Sequence, residues 1–112
     1  MTVVETQPFK ARANGRLTED EVEAVITTLA KDPTRGALMK GTGGVRKLRV
    51  AIGGRGKSGG ARVIYYFYDR SMPVFLLSVY AKNEQDNLSK ATRNEMAQVV
   101  RSLVESYGGR SP

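Results

Sequence analysis

Three apolar stretches with very little chain between them constrain the fold most. Residues 45–52 (VRKLRVAI), 61–68 (ARVIYYFY) and 73–82 (PVFLLSVYAK) are rich in β-branched and aromatic side chains, the composition of strands. Only residues 53–60 and 69–72 separate them. Connections that short suit antiparallel neighbours, since parallel strands need a long crossover. The expected core is therefore an antiparallel meander. Alternation puts Leu48, Val50 and Ile52 on one face and Lys47 and Arg49 on the other. In the last strand it puts Phe75, Leu77 and Val79 opposite Ser78, Tyr80 and Lys82.

Helices are expected on either side of this meander in the chain. Residues 2–6 read as a short β-like start, and residues 9–16 as a helical turn weakened by Gly15. Thr18-x-x-Glu21 is a capping box, and Val22, Val25, Ile26 and Leu29 follow it as one apolar stripe. Pro33 in KDPTRG ends that helix, and Gly41 to Gly44 make a turn. Ser89 is read as the cap of a last helix carrying Met96, Val99, Val100, Leu103, Val104 and Tyr107, stopped by Gly108. The expected class is α+β: a small antiparallel sheet packed against N-terminal helices and a C-terminal helix. One domain is expected over residues 1–112, with a short disordered tail at about 108–112. With helices on one face, the other face would expose Lys47, Arg49, Arg62, Tyr66, Tyr80 and Lys82.

Charge is concentrated. The net charge is +7, yet no Asp or Glu occurs between Pro33 and Tyr68. Eight cations stand there: Arg35, Lys40, Arg46, Lys47, Arg49, Arg55, Lys57 and Arg62. The other ten Lys and Arg face eleven acids, so the rest of the chain is close to neutral. A solvated face usually mixes signs; a block of one sign attracts polyanions. The chain has no Cys and no His, which removes disulfides, thiolate metal sites and the commonest general base. No cofactor or metal is expected. No apolar run approaches a membrane span, and the opening MTVVETQPFK lacks the apolar core of a signal peptide. The expected location is the cytoplasm.

The glycine-rich stretch AIGGRGKSGGAR invites a nucleotide-binding reading, because Gly56-Lys57-Ser58 ends a Walker pattern. The pattern fails. Ala51 stands where its first glycine is needed, and the loop leads into a strand instead of a helix N-terminus. What remains is a cationic loop between two strands, able to bring Arg55 and Lys57 toward a partner. Cations for phosphates with tyrosines nearby for bases are what single-stranded RNA binding requires.

The stretches GTGGVRKLRVAIGGRGKSGGARVIYYFY and LLSVYAKNEQDNLS resemble the RelE/ParE superfamily of type II toxin–antitoxin toxins, in particular its HigB/RelE-like branch. The resemblance spans about residues 9–104. It implies a ribosome-dependent mRNA endonuclease (an mRNA interferase) that inhibits translation by cutting in the ribosomal A site. The implied chemistry is metal-independent: a 2′-hydroxyl attacks the adjacent phosphate, and cations stabilise the phosphorane. Carried onto this sequence, Lys47, Arg49, Arg62 and Lys82 take the catalytic positions. Arg46, Arg55, Lys57, Tyr66 and Tyr80 are the expected RNA- or ribosome-binding residues. One departure stands out. Where the RelE branch has a tyrosine that stacks on the mRNA base, this chain has Leu88. Tyr66 and Tyr80 are candidate substitutes, with plain packing the alternative for each.

Two rivals share these features: a ParE-like gyrase poison of the same fold, and an RNA- or ribosome-binding module without cleavage. The resemblance also implies a cognate antitoxin, of helix-turn-helix type in this branch, through which alone operator DNA would be reached. The free toxin is expected to be a monomer.

Overall fold

The structure is a computed structural model that describes residues 1–53, 60–81 and 90–107. In chain order the elements are β1 (Val3–Glu5), α1 (Gln7–Ala13), α2 (Glu19–Lys31), β2 (Ala37–Leu38), β3 (Val45–Val50), β4 (Ala61–Tyr66), β5 (Val74–Ala81) and α3 (Lys90–Tyr107). They form one five-stranded sheet of order β1-β5-β4-β3-β2. The class is α+β, as the sequence indicates. The three apolar stretches are β3, β4 and β5, paired antiparallel.

The sheet is mixed, however. β1 runs parallel to β5, with Val4 opposite Phe75. The connector argument applied to β3, β4 and β5 only; β1 reaches β5 after nearly the whole fold has intervened, which is the long connection that parallel pairing needs. Thr6 secures the junction, its hydroxyl donating to the Leu76 carbonyl at 2.7 Å.

Helices cover both faces, not one. On the first, α1 and α2 bury Phe9, Val25 and Leu29 against Leu48, Val63, Tyr65, Leu76 and Val79. Phe9 and Leu29 are fully buried, each gaining about 1.5–3 kcal/mol relative to exposure. The Thr18 capping box forms as read: the Glu21 amide donates to the Thr18 hydroxyl and the Thr18 amide to the Glu21 carboxylate. On the second face, α3 lays Val100, with Met96, Leu103 and Val104, over Val45, Tyr66, Phe75 and Leu77. Tyr107 meets the Phe75 ring edge-on, centroids 5.3 Å apart. Val99, read as part of the same stripe, is 49% exposed. The expected cap Ser89, the stop at Gly108 and the tail 108–112 lie outside the described residues.

The strand β4 lies between neighbours with helices above and below, and all six of its residues are buried. The register of β5 against it shifts between Ile64 and Tyr65: Tyr65 pairs Leu76, whereas Ile64 pairs Ser78. Leu77 is thus an extra residue, and one extra residue inverts the parity of everything beyond it. The expected common face for Phe75, Leu77 and Val79 is broken. Phe75 and Leu77 lie under α3, while Val79 joins the α1/α2 core.

Candidate nucleic-acid interface

The register builds the site row by row on the α3 face of the sheet. Val45, Tyr66 and Phe75 form the row that α3 covers. The next row is Lys47, Ile64 and Ser78, and the row beyond it is Arg49, Arg62 and Tyr80. Alternation therefore places Lys47, Arg49, Arg62, Tyr66 and Tyr80 on one face, as the sequence predicts. Arg49 and Arg62 are direct cross-strand partners, an arrangement of like charges that sheet energetics alone disfavours.

Burial sorts these residues differently from expectation. Arg49 is exposed and Lys47 partly so, but Arg62 is 2% exposed, Tyr80 2% and Tyr66 3%. Tyr66 and Tyr80 belong to the core under α3, because that helix occupies the face expected to be bare. Burial pushes the Tyr66 phenol above its ordinary value, with lesser contributions from Tyr68 and Asp69. Arg62 lies in a deeper layer than Arg49. Lys82, Arg55, Lys57 and Leu88 are outside the described residues.

Arg46 takes another part. It is the cross-strand partner of Tyr65, on the opposite face from Lys47. Its guanidinium donates to the carbonyls of Gly36 at 2.7 Å and Thr34 at 3.2 Å. It ties its own chain together and does not line the cleft described next.

Beside the strand cations is an open cleft of about 610 Å³. Arg35, Lys40, Lys47, Arg49 and Arg93 line it, over a floor that includes Met39 and Leu48, and no carboxylate is among its described lining residues. Arg35, Lys40 and Arg93 were not singled out from sequence as site residues. The first two sit in the acid-free block; Arg93 lies on a helix whose apolar stripe draws attention away from it.

One wall of the cleft is the segment from Arg35 through the β2–β3 hairpin, and neutral groups hold it. The Gly36 amide donates to the Tyr65 hydroxyl at 2.9 Å, and that hydroxyl donates to the Pro33 carbonyl at 2.8 Å. Residue 36 must be glycine: a Cβ there would lie 2.8 Å from both the Lys47 carbonyl oxygen and the Tyr65 ring. Desolvation raises the Tyr65 phenol above its ordinary value, so it stays a neutral donor. At the hairpin tip, buried Thr42 donates to the Met39 carbonyl at 2.6 Å and accepts from the Val45 amide at 3.1 Å. Arg93 then joins α3 to the hairpin, donating to the Lys40 carbonyl at 3.0 Å.

Among the described residues no group of three or more His, Cys, Asp or Glu converges as metal ligands would. Nor is any helix among them long and apolar enough to cross a membrane.

Fold and site together define a small basic α+β domain in which cations of the sheet, the hairpin and the last helix gather round one open cleft. Such a surface is suited to a polyanion. The family comparison agrees with that class and sharpens it: residues 1–107 match the RelE toxin of the RelE/RelB toxin–antitoxin system. The chain belongs to the RelE toxin family. It is a toxin of a toxin–antitoxin system, in a family whose members generally inhibit translation by cleaving mRNA, and a cognate antitoxin is its partner.

Proposed function

We propose that this toxin is a metal-independent endoribonuclease that cuts mRNA in the ribosomal A site, in the cytoplasm, as a single domain of the HigB/RelE-like branch. One observation carries this reading. Lys47 and Arg49 line a cleft with Arg35, Lys40 and Arg93 and with no carboxylate among its described lining residues, and Arg62 is buried in the row of Arg49. A gyrase inhibitor acting through protein contacts has no need of that convergence.

In the proposed reaction the 2′-oxygen bonds to the adjacent phosphorus and the bond to the 5′-oxygen breaks. The products are a 2′,3′-cyclic phosphate and a 5′-hydroxyl. The proton leaves the 2′-hydroxyl, and another is supplied to the departing 5′-oxygen. Negative charge grows on the non-bridging oxygens, where fixed cations stabilise the transition state more than the ground state. In this reading Arg49 and Lys47 contact those oxygens. Arg62 adds fixed positive charge from the layer beneath, where the field is less screened than at the surface. Lys82 completes the set as the candidate acid or charge stabiliser, with Arg55 and Lys57 as further contacts to RNA or ribosome.

The burial of Tyr66 and Tyr80 leaves neither exposed to stack on a base in this conformation. That favours, as the second reading, a module that binds RNA on the ribosome without cutting it. Translation of a defined mRNA in vitro, with 5′ ends mapped by primer extension, separates the two. Cuts within codons that require ribosomes, and that slow by about 10²–10³ in Arg49→Ala, are expected. Arg62→Ala, checked for folding by circular dichroism, should slow them as well. Binding without any cut would leave the second reading standing, and cuts indifferent to Arg49 would remove the proposed site.

A further inference from the structure

The cleft continues past the strand cations. On its α3 side it meets a second hollow of about 370 Å³, and the two share Lys40 and Arg93. The second hollow adds Lys90 and Asn94, and again no carboxylate is among its described lining residues. Lys90, Arg93 and Asn94 follow the i, i+3, i+4 spacing of a single helix face. Cations from the hairpin and from α3 thus border both hollows.

Part of the rim is held before any ligand arrives. Arg93 bonds the Lys40 carbonyl at the boundary of the two hollows, and Thr42 locks the hairpin tip that carries Lys40. The Arg93 Nε is itself buried and turned away from a ligand, but the residue as a whole is only partly buried. A guanidinium has five N–H donors in a rigid fork, so the bond to Lys40 leaves donors for a phosphate. The Arg93 side chain, held this way, loses little entropy on binding. Two neighbouring cationic hollows that share Lys40 and Arg93 suit a chain of phosphates better than one small anion.

We infer that Lys40, Lys90 and Arg93 form a second subsite that grips a polynucleotide backbone phosphate away from the scissile one. The inference rests on the RNA-cleaving reading for the identity of the polyanion, and it differs in what it asks of α3. The α3 cations supply affinity and register along the strand, and take no part in bond breaking.

The test uses the whole toxin and a fluorescent 2′-O-methyl oligoribonucleotide, which cannot be cut, in anisotropy titrations over a range of KCl. Each phosphate contact contributes about 0.7 to the slope of log K against log salt for a single strand. Lys90→Gln and Arg93→Gln should each lower the slope by that amount, about a 2.6-fold smaller loss of affinity over a fourfold rise in salt. Arg93→Lys keeps the charge and should keep the slope. In the translation assay the Gln variants should raise KM and spare the rate at saturation. Pelleting with vacant and with mRNA-loaded ribosomes assigns the phosphate: loss of binding only to loaded ribosomes makes it the message's, and equal loss makes it ribosomal RNA's. Unchanged slopes in both Gln variants would overturn the subsite, as would a lower saturated rate with KM intact. Lower slopes in a toxin that cuts nothing would leave the subsite and remove the nuclease. Ordinary cutting with unchanged slopes would do the reverse.

Discussion

Replacing Tyr65 by Phe tests whether neutral hydrogen bonds hold the cleft wall. The substitution keeps the buried ring and removes one oxygen that accepts from the Gly36 amide and donates to the Pro33 carbonyl. Pro33 and Gly36 are both buried, so water does not easily replace that oxygen. A buried donor or acceptor left unpaired costs about 1–3 kcal/mol. Two such groups, less the relief of no longer burying a hydroxyl, give an expected loss of about 2–4 kcal/mol. Total stabilities of domains run about 5–15 kcal/mol, so the variant should fold but be visibly weakened. At about 2.1 cal/mol/K per residue, 112 residues give an unfolding entropy near 0.24 kcal/mol/K. The expected fall in Tm is then about 8–17 °C, read by circular dichroism. Tyr68→Phe, altering a tyrosine that is 53% exposed, should stay within about 0.5 kcal/mol of the parent. Hydrogen exchange should show the Gly36 amide losing protection first. A Tm within about 4 °C of the parent, with Gly36 still protected, would refute the reasoning and move the support of this wall elsewhere.

Gly36→Ala should destabilise by about 1–3 kcal/mol, because its Cβ would meet a backbone carbonyl of β3, which gives way less readily than a side-chain tip; the urea midpoint should fall with the m-value unchanged. Glu21 accepts from the Thr18 and Gly53 amides, and these bonds hold its carboxyl below the ordinary 4.5. Its folded pKa is depressed, so its contribution is present above 4.5 and is lost as pH falls through the lowered value; NMR should show the Glu21 carboxyl and the Gly53 amide titrating together below 4.5. Tyr65 and Tyr66 shift the other way, each raised above 10.0 chiefly by desolvation. The unfolded chain ionises first, so their stabilisation is intact below pH 10 and disappears as pH rises through the folded values; the urea midpoint should drop above pH 10, less steeply in Tyr65→Phe.

What could be read from sequence was local. The capping box at Thr18, the stripe of α2 and the strand character of the three apolar stretches depend on residues a few positions apart. The common face of Lys47, Arg49, Arg62 and Tyr80 also followed, though the route through β5 was incomplete. In the run Val74-Phe75-Leu76-Leu77 every residue is apolar, so the extra residue at Leu77 leaves no trace in the hydrophobic pattern. The parallel pairing of β1 was hidden for a different reason: Thr6 meets its partner Leu76 across 70 positions. Tyr65 and Tyr66 look equivalent in sequence, yet they point to opposite faces, and only Tyr65 has an amide and a carbonyl waiting for its oxygen. Arg93 reaches Lys40 across 53 positions, and no helical periodicity announces that.

The kinds of bond used in the cleft wall bear on what the cleft can do. Like charges repel, by about 1 kcal/mol per pair at 4 Å in water and more near a low-dielectric surface. Placing carboxylates among them would quiet that repulsion, but each would also compete with a phosphate for the same donors. Here Arg35, Lys40, Lys47, Arg49 and Arg93 line the cleft with no carboxylate among the described lining residues. The wall is held instead by a phenol, a threonine hydroxyl and backbone carbonyls. Those bonds resist the repulsion without neutralising it, so the attraction for a polyanion is retained. A polyanion that enters relieves the repulsion as well as forming contacts, and the energy stored between like charges becomes part of its binding.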